Sequence, residues 1–152
     1  MNWKSKKDKI YFEDGSLRDI LILDFSIEDW KKWVDLVNSR YIVEFYNGQT
    51  QLTTNHIDFE VIKDFWTGNT DLVNSATIYL NNIIVKCYFF DDLEFENDIQ
   101  PKEFKCEDDH LKLMKYLKDI SQAVNKEVIL TEENSKDSIL IEIKKNEIKY
   151  CA

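Results

Sequence analysis

An α+β fold is what this sequence predicts: a single domain over residues 1–152, with an antiparallel-dominated sheet and two amphipathic helices packed on one face. Three observations predict it. Short runs rich in β-branched and aromatic residues follow one another across turn signals, two longer stretches carry apolar residues at helical spacing, and no segment repeats at a fixed period. The chain is 43% hydrophobic and 13% aromatic, enough for one core, and its three glycines and single proline leave little material for linkers.

Taken in order, Ile10-Tyr11-Phe12 reads as a short strand that ends at Asp14-Gly15, and residues 17–23 as a second strand. The two are expected to form a hairpin across residues 13–16. Arg18 and Asp19 begin the second run, where a strand-edge ion pair or two solvent-facing positions are expected. Ser26 with Asp29 three residues later is a Ser-x-x-acid capping box. Ile27, Trp30, Val34 and Val37 then recur at helical spacing, so a helix is expected to about Ser39-Arg40. Residues 41–46 form a strand, and Asn47-Gly48 a hairpin turn into a weaker strand within 49–54. Residues 55–70 read as loop with one helical turn.

Residues 75–90, SATIYLNNIIVKCYFF, are the most continuously apolar part of the chain. Two β-rich runs flank Asn81-Asn82, a hairpin signal, and the hairpin is expected at the centre of the sheet. The chemistry then reverses, with nine acids and two lysines between residues 91 and 109. Residues 94–99 read as a strand with Glu94, Glu96 and Asp98 on one face and Leu93, Phe95 and Asn97 on the other, stopped by Pro101. The second helix is expected over residues 107–125. Glu107, Asp108 and Asp109 suit its positive N-terminal end, and Leu113, Leu117, Ile120 and Val124 make its apolar stripe. Strands at 127–130 and 139–150, the latter with a turn at Lys145-Asn146, complete the chain.

Composition excludes more than it assigns. A net charge of −9 and a pI near 4.7 disfavour binding to nucleic-acid phosphates and to anionic membranes, and favour basic partners. Cys87, Cys106 and Cys151 form no CxxC pair, no window reaches transmembrane length, and the basic first residues are followed by no apolar run. A cytoplasmic protein with reduced thiols is expected. There is no GxSxG, P-loop, GxGxxG or HExxH. Cys106 and His110 stand four apart on a helix but supply only two ligands of the four a structural zinc takes. His56 lies in a loop without a nucleophile, and Cys87 reads as a small hydrophobe in a buried strand. No catalytic residue, metal or cofactor is expected, and the reading is not that of an enzyme.

Three stretches taken together carry a resemblance: Asp14-Gly15-Ser16-Leu17-Arg18-Asp19-Ile20, Asp29-Trp30 at the helix start, and Lys126-Glu127-Val128-Ile129-Leu130-Thr131-Glu132-Glu133-Asn134. The combination resembles a group of small bacterial proteins which, in size, acidity and lack of catalytic motifs, are similar to the immunity proteins of toxin–immunity pairs. It covers both ends of the chain and leaves the middle unmatched. Its motifs are a turn, a cap and a strand end, so it implies a shared fold and carries over no binding residue. What it implies is a non-catalytic inhibitor of a cognate toxin, commonly a basic nuclease domain. An acidic inhibitor is steered electrostatically to such a partner. The candidate contact residues are Asp91, Asp92, Glu94, Glu96, Asp98, Glu107, Asp108 and Asp109, whose stretch supplies seven of the nine net negative charges. Two other readings stand beside it: an interaction or homo-oligomeric module using sheet edges such as residues 139–150, and a small-ligand domain built on the aromatic interior.

Overall fold

Capping chemistry decides how the chain starts. The computed structural model, which describes all residues from Met1 to Ala152, opens with a helix, α1 (Trp3–Lys9). Its N-cap is Asn2, whose side chain accepts from the Ser5 amide at 2.8 Å, and Lys6, Lys7 and Lys9 complement the negative C-terminal end. Ile10 and Tyr11 both donate their amides to the Lys6 carbonyl as the helix closes. The hairpin expected between residues 10–12 and 17–23 is therefore absent. Ile10 and Tyr11 are buried, but as the turn that follows a helix.

The remaining elements are β1 (Arg18–Ile22), α2 (Ile27–Arg40), β2 (Ile42–Asn47), β3 (Leu52–Thr54), α3 (Phe59–Trp66), β4 (Ser75–Leu80), β5 (Ile83–Cys87), β6 (Phe95–Ile99), α4 (Glu107–Val124), β7 (Val128–Glu132), β8 (Ile139–Lys144) and β9 (Glu147–Tyr150). All nine strands join one sheet in the order β3-β2-β4-β5-β6-β1-β7-β8-β9, and every neighbouring pair is antiparallel. The fold is α+β with an antiparallel sheet, and it has four helices where two were expected. None of them is long and apolar enough to cross a membrane.

Three local expectations change. Asn47-Gly48 is not a two-residue turn: the Asn47 side chain caps the amides of Gln49 and Thr50, and Gln51 takes the left-handed conformation that closes the loop. Residues 59–66 form a full helix, started by Asp58, whose side chain accepts from the Glu60 amide. Arg18 and Asp19 are neither at an edge nor in solvent, because β1 lies between β6 and β7 and both residues are buried. The Arg18 guanidinium donates instead to the carbonyls of Ile10 and Phe12, each at 2.8 Å, and to Ser16 Oγ. It thereby ties the N-terminal turn to the sheet.

The central strand is the acidic β6, with the apolar β4–β5 hairpin beside it. A strand needs only one apolar face to sit there, and β6 buries Phe95, Asn97 and Ile99 while Glu96 and Asp98 alternate outward. Register identifies the two faces. Asn97, Ile20, Leu130 and Ile141 lie opposite one another in a row on one face, which also holds the Phe95–Ile22 pair. Trp30 and Trp33 of α2 pack on Phe95, with ring centroids 5.2 and 5.3 Å away. In α4, Tyr116 accepts from Trp33 Nε1 at 3.1 Å and donates to Asn97 Oδ1 at 2.6 Å. That buried chain of hydrogen bonds fixes α2, α4 and β6 to one another.

Candidate functional site

On the other face of the sheet the register builds a polar row: Glu44 (β2), Thr77 (β4), Lys86 (β5), Asp98 (β6), Asp19 (β1) and Thr131 (β7) stand opposite one another in turn. The row beside it contains Glu96, Leu21 and Ile129. Asp98 and Asp19 are thus directly cross-strand neighbours of like charge, an unfavourable pairing. Neither gets a cation. Lys86 donates to Thr77 Oγ1 at 2.7 Å, and Asp19 Oδ2 accepts from the Asn134 amide at 2.8 Å. Lys136 of the same β7–β8 loop pairs with Glu94.

The electrostatic consequence is a set of carboxyls with raised proton affinity. Partial burial, then Asp19, Glu96 and Glu133, push Asp98 up to about 6 against the pull of Lys86. Burial, then Asp19 and Glu94, raise Glu96 as well. Burial and Glu133 raise Asp19, and the Asn134 amide offsets part of that rise.

An aromatic pair follows β5, whose Lys86 stands opposite Asp98. At Phe89 the backbone enters the left-handed region, with φ at 56°, which is uncommon and strained for a bulky residue. The Phe89 ring is buried against Trp30, Trp33 and Phe45, and its carbonyl accepts from Trp66 Nε1 at 2.9 Å. Its neighbours Tyr88 and Phe90 stack on each other with centroids 5.5 Å apart, and Phe90 is 69% exposed. Burial, and then the charge of Asp98, raise the Tyr88 phenol.

The candidate residues from the sequence fall into two groups that no hydrogen bond or ion pair joins. Asp91, Asp92, Glu94, Glu96 and Asp98 lead into and along β6, with Asp91 exposed and the others half-buried. Glu107, Asp108 and Asp109 form the first turn of α4. There Glu107 pairs with Lys6 of α1. Asp109 is buried and accepts from the Lys105 amide and Asn82 Nδ2. Burial would raise its carboxyl, but these donors and Lys112 hold it below its ordinary value. Asp108 is exposed. Asp19, Tyr88 and Phe90 are the residues that sequence reasoning missed. Strand alternation placed Glu96 and Asp98 together, but only the β1–β6 register brings Asp19 to them.

Other places with chemical potential are already occupied by internal contacts. His110 is buried on α4 with Nδ1 2.6 Å from the Tyr11 hydroxyl and Nε2 2.7 Å from the Tyr150 hydroxyl. Burial and then Lys6 lower it to about 4, so the neutral ring accepts from one tyrosine and donates to the other. It lines no cleft. The largest cleft, about 360 Å³, lies among Leu21, Leu23, Ile129 and Ile139, with Lys126 and Lys144 at its rim. Lys126 is held by Asp29 and the Asp24 carbonyl, and Lys144 by the Asn125 carbonyl. No group of three or more His, Cys, Asp or Glu side chains is arranged to hold a metal ion. Cys87 is buried, which pushes its thiol well up.

No protein-family model, no curated protein and no solved structure matches this chain.

Proposed function

We propose that the protein is a non-catalytic inhibitor of the immunity type, which binds a basic toxin domain in the cytoplasm. In this reading α2 and α4 close the Asn97 face of the sheet, and the Asp98 face meets the partner. The observation that carries it is the concentration of carboxylates on and beside the central strand of an already acidic protein, of which Glu94 alone makes an ion pair, with Lys136. Such a surface raises the association rate with a cationic partner and makes that rate salt-dependent. Altering Asp91, Asp92 or Glu96 breaks no ion pair, and Glu94 gives up only a surface pair with Lys136, so the fold should survive the change.

The test is a capture from lysate of the source cell at low salt. The wild-type protein and a variant with Asp91, Asp92, Glu94 and Glu96 changed to Lys serve as parallel baits. One basic protein retained by the wild type, released by salt and not retained by the variant is the expected result. Equal retention by both baits removes this acidic stretch from the account, and the absence of any basic protein removes the inhibitor reading.

A further inference from the structure

β9 is one of the two edge strands of the sheet, and its outward side has a hydrogen-bonding phase and a charge order that fit a copy of itself. We infer that the protein forms a two-fold dimer in which β9 pairs antiparallel with β9 of a second copy, centred on Ile148, with Glu147 of each copy opposite Lys149 of the other. The inference goes beyond the inhibitor reading and stands without it, because β1, β7 and β8 separate β9 from β6.

The backbone sets the phase. Lys144 and Glu147 face each other across the two residues of the β8–β9 turn, where Lys145 takes the left-handed conformation with φ at 56°. Further along, the Cys151 amide donates to the Leu140 carbonyl at 2.9 Å. Hydrogen-bonded positions alternate in an antiparallel pair, so Glu147, Lys149 and Cys151 turn their amides and carbonyls to β8, and Ile148 and Tyr150 turn theirs outward. Two-fold pairing centred on Glu147 or Lys149 sets that residue against its own copy, like charge on like. Centred on Tyr150, it leaves both charges without a counterpart. Centred on Ile148, it makes two reciprocal hydrogen bonds between the Ile148 residues and sets Glu147 against Lys149 twice.

The neighbouring strand extends the match. Glu142 faces Lys149, and Lys144 faces Glu147, on the Asp98 face of the sheet. Across the joined edge the row reads Glu142, Lys149, then Glu147 and Lys144 of the second copy, alternating in sign. Lys149 meets Glu142 at 3.6 Å with its side chain 74% exposed, which leaves it able to take a second carboxylate. On the other face Ile143 and Ile148 meet Ile148 and Ile143 of the second copy, an apolar row continuous with the core. A lone edge lysine repels an added strand, whereas a glutamate and a lysine two residues apart select their own antiparallel copy. β3, the other edge, has three uncharged residues and offers no such selection.

Short terminal strands fray unless they are tied down. β9 is tied at both ends: the Tyr150 hydroxyl lies 2.7 Å from His110 Nε2, and Asn146 Oδ1 accepts from Gln122 Nε2 at 2.6 Å. The edge is thus ordered before it meets a second copy, and pairing costs less conformational freedom.

The experiment is sedimentation velocity of the full chain from about 1 to about 300 μM, a range that brackets a weak interface. The expected result is a reversible rise from a species of 18.2 kDa to one of twice that mass. Glu147→Lys and Lys149→Glu change exposed side chains and should keep the native circular dichroism. Each should weaken the dimer about tenfold, because two opposite-charge contacts become two like-charge ones. An equimolar mixture of the two variants should dimerise again, since one then offers only acids at these positions and the other only lysines. A single species of 18.2 kDa throughout the range overturns the inference. So does a dimer that both variants leave unchanged, or a mixture that stays monomeric. None of these outcomes touches the capture result, which reads the stretch leading into β6.

Discussion

Trp30 and Trp33 are neighbours in one aromatic cluster and differ in a single bond. The Trp33 indole donates to Tyr116, whereas the Trp30 indole N–H is buried without a partner. Replacing either by Phe loses similar ring area, but only Trp33→Phe breaks the chain to Asn97. Trp33→Phe should therefore cost about 1–2 kcal/mol more than Trp30→Phe in chemical denaturation. Two titrating residues pull in opposite directions. His110 has a lowered folded value of about 4, so its contribution is present above the usual histidine range and is lost as pH falls through about 4. Asp98 is raised to about 6, so the strain it adds is absent below the ordinary carboxylate range and appears as pH rises through about 6. Asp98→Asn should accordingly stabilise the protein by roughly 1–2 kcal/mol at pH 7.5 and by almost nothing at pH 4, measured by urea unfolding at both values. The reason such residues were hard to read is visible at Arg18 and Asp19. Adjacent opposite charges look like a pair, yet in a strand they point to opposite faces, and each is satisfied by backbone from a different loop.

The elements that sequence resolved well are those whose signal is local. The capping box at Ser26 and Asp29 is present in both directions, at 3.1 Å each way. Ser26→Ala should cost about 1 kcal/mol, and Asp29→Ala more, because Asp29 also holds Lys126 at 2.7 Å. The β4–β5 hairpin turns at Asn81, whose φ is 62°, as Asn-Asn implied. Elements decided by distant contacts were not legible. α1 looked like a basic tail leading into a strand, because its burial depends on Tyr11 stacking on Phe104 at 4.1 Å and on Lys6 meeting Glu107. Gly48 read as half of a tight turn, but its requirement is space. A side-chain carbon there would lie 2.2 Å from the Val73 carbonyl oxygen. Gly48→Ala should destabilise by about 1–3 kcal/mol, read as a lowered urea midpoint, although its φ is ordinary.

At the scale of the whole molecule, the acidic stretch was legible as composition and its division was not. Nine acids within residues 91–109 form a single run in sequence. The first turn of α4 carries Glu107, Asp108 and Asp109 away, with Glu107 meeting Lys6 and Asp109 meeting Lys105 and Asn82; Glu103 accepts from the Ile84 amide, and Asp91, Asp92, Glu94, Glu96 and Asp98 remain before and along β6. A central strand that is acidic on one face and apolar on the other follows from the alternation of β6, and it turns a generic negative charge into a located surface. The measurement that tests this most directly is hydrogen–deuterium exchange of the protein alone and with its captured basic partner. The account predicts slowed exchange across residues 84–98, with the first turn of α4 and the edge strands β3 and β9 unchanged. Protection confined to residues 106–112, or to β3 or β9, would contradict it.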